Sequence, residues 1–319
     1  DVYGTRVVTA STDATVRIWS LESFDGEDLY PISRDATNLF AHDVAFTPDG
    51  SRIIIQAGPL VGPSEVWLFE VATKTLSKSA IAKPIKSMAT SCSGLLAAIT
   101  DDGEVVICEL LTGTGIRKLP IDQRLHPSCL AFSENGRELI IGFEEGRVEL
   151  WDTTSDEFLE EYAISSESIR RIATTAERLI IGLPDRILIW NAARRAIENE
   201  VSTGGSLPDF AYSPETDSLA FRKSPGKVVV VDLGDPTLET RREIRGSAFA
   251  LRFMDQGRTL VSTGWDGQIR FWSVDPLQLR MKILQYPRRV KCVASSPDGN
   301  ILVTGGQGFI RLYRANYKG

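Results

Sequence analysis

Base-assisted nucleophilic chemistry in this chain would have to run through His42 or His126, the only imidazoles among its 319 residues. Neither has a nucleophile motif to serve. The sequence contains no Gly-x-Ser-x-Gly elbow and no Gly-x-x-x-x-Gly-Lys phosphate loop. Gly305-Gly306-Gln307-Gly308 is rich in glycine, yet it joins two extended segments, as a tight hairpin does. Zinc needs clustered Cys and His, and here four cysteines and two histidines are scattered, so neither metal nor cofactor is expected. The run Ser155-Asp156-Glu157-Phe158-Leu159-Glu160-Glu161 could supply a carboxylate pair but reads better as a solvated outer strand. The expectation is a protein that is not an enzyme.

What remains is charge. The chain carries a net charge of -6, which argues against general nucleic-acid affinity, since that affinity depends on clustered Lys and Arg. Cations nonetheless recur in small groups: Lys83 and Lys86; Arg170 and Arg171; Arg241, Arg242 and Arg245; Arg288, Arg289 and Lys291. Whether they act together depends on the elements that position them.

Those elements repeat. A phrase of β-branched residues closing on a bulky side chain occurs eight times, ending at Trp19, Phe69, Cys108, Trp151, Trp190, Val231, Trp272 and Tyr313. The intervals are 50, 39, 43, 39, 41, 41 and 41 residues. A period of about 40–45 residues is the sequence mark of a propeller blade, with four strands per unit. One full unit reads as Phe249–Phe253, Arg258–Thr263, Gln268–Val274 and a weaker strand near Leu279–Leu284. Between strands, Thr47-Pro48-Asp49-Gly50 and Ser296-Pro297-Asp298-Gly299 place Pro where φ is near -65° and Gly where φ is positive. Runs such as Ile53-Ile54-Ile55 and Val228–Val231 are apolar without alternation, the pattern of strands buried on both faces. Cys129 and Cys292 fall at the same point of two repeats and read as small packing residues.

The stretch Ser11-Thr12-Asp13-Ala14-Thr15-Val16-Arg17-Ile18-Trp19 resembles the third-strand signature of WD-repeat β-propellers. Gly264-Trp265-Asp266-Gly267-Gln268-Ile269-Arg270-Phe271-Trp272 is a second such copy, and Glu149-Leu150-Trp151-Asp152 carries the Trp-Asp pair. The resemblance covers essentially the whole chain. It implies a His ahead of each first strand, relayed to a turn Asp; Asp13, Asp102 and Asp266 keep that Asp, and Glu145 replaces it. Pro63, Pro225 and Gln307 have lost it, and neither His42 nor His126 fits the relay, so packing between blades must carry more of the stability.

In a propeller the loops leading into the first strands surround one mouth of the central channel. The cations would then form an electropositive rim for a protein partner, with Lys86, Arg170, Arg171, Arg241, Arg242, Arg288, Arg289 and Lys291 as candidate contacts. Its ligand would be an acidic or phosphorylated segment, or an upstream domain of the same chain. A second candidate region is extra length in the 50-residue interval, at Ser23–Asn38 and at Gly58–Ser64.

The fold class expected is an all-β WD-repeat propeller over residues 1–319, with eight blades preferred and a seven-bladed ring with a surplus N-terminal hairpin as the alternative. Eight is preferred because a surplus apolar hairpin would have nowhere to bury itself. The start inside a repeat reads as part of a longer multidomain chain. No apolar run reaches about 18 residues, so no membrane span is expected. With few cysteines and no leader pattern, a reducing cytoplasmic setting is the default. The function expected is a non-enzymatic interaction scaffold or sensor, such as the C-terminal regulatory region of a signalling protein. Alternatives are a structural subunit of a stable complex and, less favoured, a propeller hydrolase with carboxylates converging in the channel.

Overall fold

A computed structural model describes residues 6–10, 16–20, 29–32, 39–110, 114–175, 177–205, 209–223, 226–235, 241–245, 248–264, 266–284, 290–298 and 301–316. Six sheets are four-stranded antiparallel meanders. Blade 1 comprises Phe40–Phe46, Arg52–Gly58, Glu65–Glu70 and Thr75–Lys78; blade 2 comprises Ile85–Thr90, Leu95–Thr100, Val105–Glu109 and Arg117–Lys118. Blade 3 comprises Pro127–Phe132, Glu138–Phe143, Arg147–Asp152 and Phe158–Ala163, and blade 4 comprises Arg171–Thr174, Arg178–Gly182, Arg186–Asn191 and Ala196–Ser202. Blade 5 runs Phe210–Ser213, Ser218–Lys223, Lys227–Asp232 and Arg241–Arg245; blade 6 runs Ala250–Met254, Thr259–Thr263, Gln268–Ser273 and Gln278–Leu284.

Blade 7 closes the ring from both ends of the chain. Val290–Ser295, Ile301–Gly306 and Phe309–Asn316 are its first three strands, and Leu29–Pro31 is its fourth, with Leu29 opposite Arg311 and Pro31 opposite Phe309. The preferred count of eight is therefore corrected to seven. The hairpin Arg6–Ala10/Val16–Ser20 makes no further blade; Ile18 and Trp19 pair with Asn316 and Ala315 on the same edge. The objection that this hairpin has no place to go fails because the third strand of blade 7 is eight residues long. Its outer edge accommodates Leu29–Pro31 along one half and the hairpin at the other.

Seven apolar clusters hold the disc, one at each junction between neighbouring sheets. At the ring closure Ile32, Ala41, Val44, Ile53 and Ile55 pack against Cys292, Val303, Ile310 and Leu312. Between blades 3 and 4, Cys129, Ile140 and Val148 meet Ile169, Ile172 and Ile181. This is why second and third strands are apolar on both faces. The first strands lie where the wedges are narrowest, and there one register position is Ala in six blades: Ala45, Ala89, Ala131, Ala173, Ala211 and Ala294. In blade 6 the same position is Arg252.

The hairpin chemistry follows the sequence. Thr47 Oγ1 donates to Asp49 Oδ1 (2.5 Å) and accepts from the Arg52 N–H (3.0 Å), while Gly50 takes φ +70°. Ser296 repeats this with Asp298 (2.5 Å) and the Ile301 N–H (2.9 Å). The two repeat-related cysteines are buried and face equivalent glycines, Cys129 opposite Gly142 and Cys292 opposite Gly305. Burial pushes the Cys129 thiol up to about 12 and raises that of Cys292 as well. The second half of the acidic run, Phe158–Glu161, lies on the largely exposed outer strand Phe158–Ala163, and Ser155–Glu157 form the turn leading into it. One relay contact survives despite the sequence reading: His126 Nδ1 lies 2.6 Å from Glu145 Oε1. In blade 6 no His is involved, and Trp272 Nε1–H donates to Ser262 Oγ at 2.9 Å.

Candidate partner-binding mouth of the central channel

Upper here means the face that carries the loops into the first strands. At the upper end of those strands the backbone bulges, so that two residues oppose one on the second strand, which re-aims the extra side chain. The register breaks between Ala41 and Asp43, Ile85 and Ser87, Pro127 and Cys129, and Val290 and Cys292. The extra residues are His42, Lys86, Ser128 and Lys291. Blades 4 and 6 show the same arrangement: Arg170 N–H donates to the Gly182 carbonyl (2.8 Å) and Phe249 N–H to that of Thr263 (2.5 Å), beside the paired Arg171 and Ala250. Among the described residues this position therefore reads His42, Lys86, Ser128, Arg170, Phe249 and Lys291. Three are cations and none is a carboxylate.

Their surroundings differ. Lys86 and Arg170 are exposed, and neither forms an ion pair with a described carboxylate. Lys291 is buried, with Nζ 4.9 Å from the Phe40 ring centre and 5.8 Å from that of Phe249. It donates to His42 Nδ1 at 3.2 Å, which leaves Nε2 protonated to donate to the Pro59 carbonyl at 2.7 Å. Burial first, and then the Lys291 charge, lowers the His42 pKa, so the ring is neutral at pH 7.

Further along the strands the charges balance, with Arg171, Asp209 and Asp43 one residue past the bulge position and Arg252 three past it. Arg171 Nη1 lies 2.6 Å from Asp209 Oδ1, and Asp209 Oδ2 accepts the Leu251 N–H at 3.0 Å. Arg252 reaches the same carboxylate at 3.4 Å and Asp43 at 3.6 Å. This chain of two cations and two anions ties blades 4, 5, 6 and 1 around the channel. Arg171, expected on an open rim, is committed to it.

The remaining expected contacts do not converge. Arg241 and Arg242 lie on the outermost strand of blade 5, not in a loop leading to a first strand, and Arg242 donates to the Val274 carbonyl of blade 6 at 3.1 Å. The sequence offered no strong pattern for that strand, so its cations read as loop residues. Arg245 shares it. Lys83 is held by Asp102 (2.8 Å) and Glu104 (2.7 Å), and the Lys83 and Thr100 contacts draw the Asp102 carboxyl down to about 2. Arg288 and Arg289 lie outside the described residues. A cavity of about 570 Å³ between blades 2 and 3 has Lys86 itself and Lys118 on its wall together with Asp101, Asp102, Glu104, Asp122 and Glu144, so positive charge does not extend over the whole face.

Sequence reasoning missed His42, Asp209, Phe249 and Arg252. The repeat carries little signal for them: second-strand glycines mark the equivalent point beside Ser128, Arg170 and Lys291, but beside Lys86 that point is Ile99. Of the two expanded segments, Ser23–Asn38 is described only at residues 29–32, which supply the fourth strand of blade 7, and Gly58–Ser64 is described throughout. It is pinned to blade 2 by two backbone hydrogen bonds between Ser64 and Ile85 (2.9 and 2.6 Å), and it exposes Leu60 and Val61, the latter 87%. A Cβ on Gly58 would sit 2.7 Å from Ser64 Oγ, so the bend has no slack. Among the described residues no group of three or more His, Cys, Asp or Glu could hold a metal ion. No helix among them is long and apolar enough to cross a membrane.

Seven radially packed blades, with third strands that end on Trp151, Trp190 and Trp272 in three of them and with Ser/Thr-capped hairpins, define the class: the chain is a WD-repeat β-propeller. Residues 91–177 match the model of the anaphase-promoting complex subunit 4 WD40 domain, and residues 239–273 and 281–314 match the WD domain, G-beta repeat. Similar proteins include telomerase protein component 1 of Mus musculus, 25% identical over 279 residues, which span 82% of this chain and 10% of that protein. Actin-interacting protein 1-2 of Arabidopsis thaliana is 24% identical over 160 residues, 47% of this chain and 26% of its own length. Cell division cycle 20.1, cofactor of APC complex, also from Arabidopsis thaliana, is 24% identical over 219 residues, 66% of this chain and 40% of its own. The chain thus spans between a tenth and two-fifths of these relatives.

Proposed function

We propose that this propeller is a rigid, non-enzymatic scaffold that engages an acidic or phosphorylated segment of a protein partner at the upper mouth of its channel. Kinship with WD-repeat proteins, among them a cofactor of APC complex and an actin-interacting protein, supports the general role of protein interaction. The mouth itself is this chain's own feature. The observation that carries the reading is the bulge position, where Lys86 and Arg170 stand exposed and free of described carboxylates while Lys291 adds a third charge beneath. A bulge on a packed inner strand fixes its backbone, so little ordering is required when an anion arrives. Charge-assisted hydrogen bonds from Lys and Arg to carboxylate or phosphate would supply the affinity. The pinned Leu60–Val61 turn stands on the same face and offers the partner an apolar contact.

The experiment is fluorescence anisotropy with a labelled phosphoserine-glutamate peptide. Replacing Lys86 and Arg170 together by Glu is expected to weaken binding by at least about tenfold, the equivalent of about 1.4 kcal/mol. Unchanged affinity would remove the mouth from the reading. Regulatory sensing, and attachment to a larger signalling protein, belong to the same proposal and rest on analogy with multidomain propeller proteins.

A further inference from the structure

We propose that the opposite, lower mouth of the channel is a second docking site, for an extended peptide that presents Lys or Arg side chains between apolar ones. A cavity of about 880 Å³ opens there, formed by the ends of the first strands and the hairpins that follow them in blades 1, 2, 5, 6 and 7. That volume is within the range that receives a ligand of several side chains. Its wall is apolar and half-buried where the wedges narrow, at Ala45, Ala89, Ala294, Phe253 and Met254. The alanines are small and Met254 is flexible, which suits aliphatic groups of varied shape, and Phe253 adds a flat aromatic face.

The groups charged at neutral pH that line the cavity are Asp43, Glu215 and Asp255 against Arg252; Cys92 and Tyr212 also line it. Arg252 is already opposed by Asp209 at 3.4 Å and Asp43 at 3.6 Å, so the lining keeps a negative balance. The hairpin tips around it add Asp49, Glu134 and Asp298. This sign has a local origin. In blades 1, 5 and 7 the hydroxyl that begins the hairpin donates to a carboxylate two residues on, at Asp49, Glu215 and Asp298, whereas in blades 2 and 3 the corresponding residues are the neutral Ser93 and Asn135. The Thr47 hydrogen bond, followed by the Ser51 N–H, lowers the Asp49 pKa, so its charge persists at neutral pH. A turn device used in three of the hairpins thereby gives the lower mouth a polarity opposite to that of the upper one. An apolar well within a negative rim fits a basic, apolar segment, and the rim would also steer it in. One disc could then hold two partners of opposite charge on opposite faces.

The test uses the whole 319-residue chain and a fluorescein-labelled peptide of alternating leucine and arginine, compared with its leucine–glutamate counterpart. The arginine peptide is expected to bind, and the glutamate peptide is expected to be at least about tenfold weaker at this site. Glu215→Lys with Asp255→Lys should cost the arginine peptide at least about tenfold, while Glu157→Lys with Glu200→Lys, on the outer parts of blades 3 and 4, should leave it within about twofold. Equal losses in the two double variants would mean diffuse attraction to an acidic protein and would overturn the site. So would failure of the arginine peptide to bind, in protein whose melting shows it folded. The Lys86→Glu/Arg170→Glu protein should bind this peptide normally, which keeps the fate of the lower mouth separate from that of the upper.

Discussion

Adding one methyl group at Gly142 is predicted to wedge blades 3 and 4 apart. A Cβ there would lie 2.7 Å from Cys129 Sγ, 2.8 Å from Ile169 Cγ2 and 3.0 Å from Ile172 Cδ1. Gly142 has no positive φ, so alanine fits the backbone and by itself would stabilise by about 0.4–1 kcal/mol through the unfolded chain. Overpacking a tight core costs about 1–3 kcal/mol, which wins, leaving Gly142→Ala destabilised by about 1–2 kcal/mol. Cys129→Ala removes a buried sulfur and should cost about 1 kcal/mol by itself. In the double variant the new methyl occupies the space that Sγ vacates, although Ile169 must still yield. The two changes should therefore combine with a favourable coupling of at least about 0.5 kcal/mol. Urea unfolding followed by tryptophan fluorescence, to which Trp151 and Trp190 contribute from the two blades among the six tryptophans of the chain, reads all four corners of the cycle. Additive effects within about 0.3 kcal/mol, or a neutral Gly142→Ala, would refute the claim that this glycine exists to admit the cysteine and the next blade.

Two further outcomes are expected. His42 has a lowered pKa, set first by burial and then by Lys291, with the Pro59 and Gly58 carbonyls and Asp43 acting against them. The unfolded chain then binds the proton that the native ring refuses, so stability should fall as pH drops below about 6.5 towards the native value. His42→Gln, which keeps a donor for Pro59, should lose less melting temperature than the native chain between about pH 7.5 and about 5.5; an equal loss would clear His42 of the titration. Of the four cysteines, Cys92 alone is exposed, while burial raises Cys108 to about 11 and Cys129 to about 12. Mass spectrometry after brief treatment with N-ethylmaleimide should find one adduct on the native protein, at Cys92, and labelling at Cys129 or Cys292 would contradict the packing described for the ring.

Much of this was determined locally and could be read without coordinates. The repeat of third strands, the Pro-Asp-Gly hairpins and the doubly buried Ile53–Ile55 follow from residues within a few positions of one another, because side-chain period and turn conformation are short-range properties. Cys129 and Cys292 were recognisable as packing residues for the same reason. The number of blades was not. Eight third-strand phrases are present, yet closure depends on Leu29–Pro31, a three-residue strand with no signature of its own, meeting Phe309–Asn316 some 280 positions away. The function of a cation was equally out of reach. Arg170 and Arg171 are neighbours in sequence, but a backbone bulge leaves one exposed at the mouth and ties the other to Asp209 in the next blade. Pairing register and the approach of neighbouring sheets make that distinction, and both are long-range consequences of closing the ring.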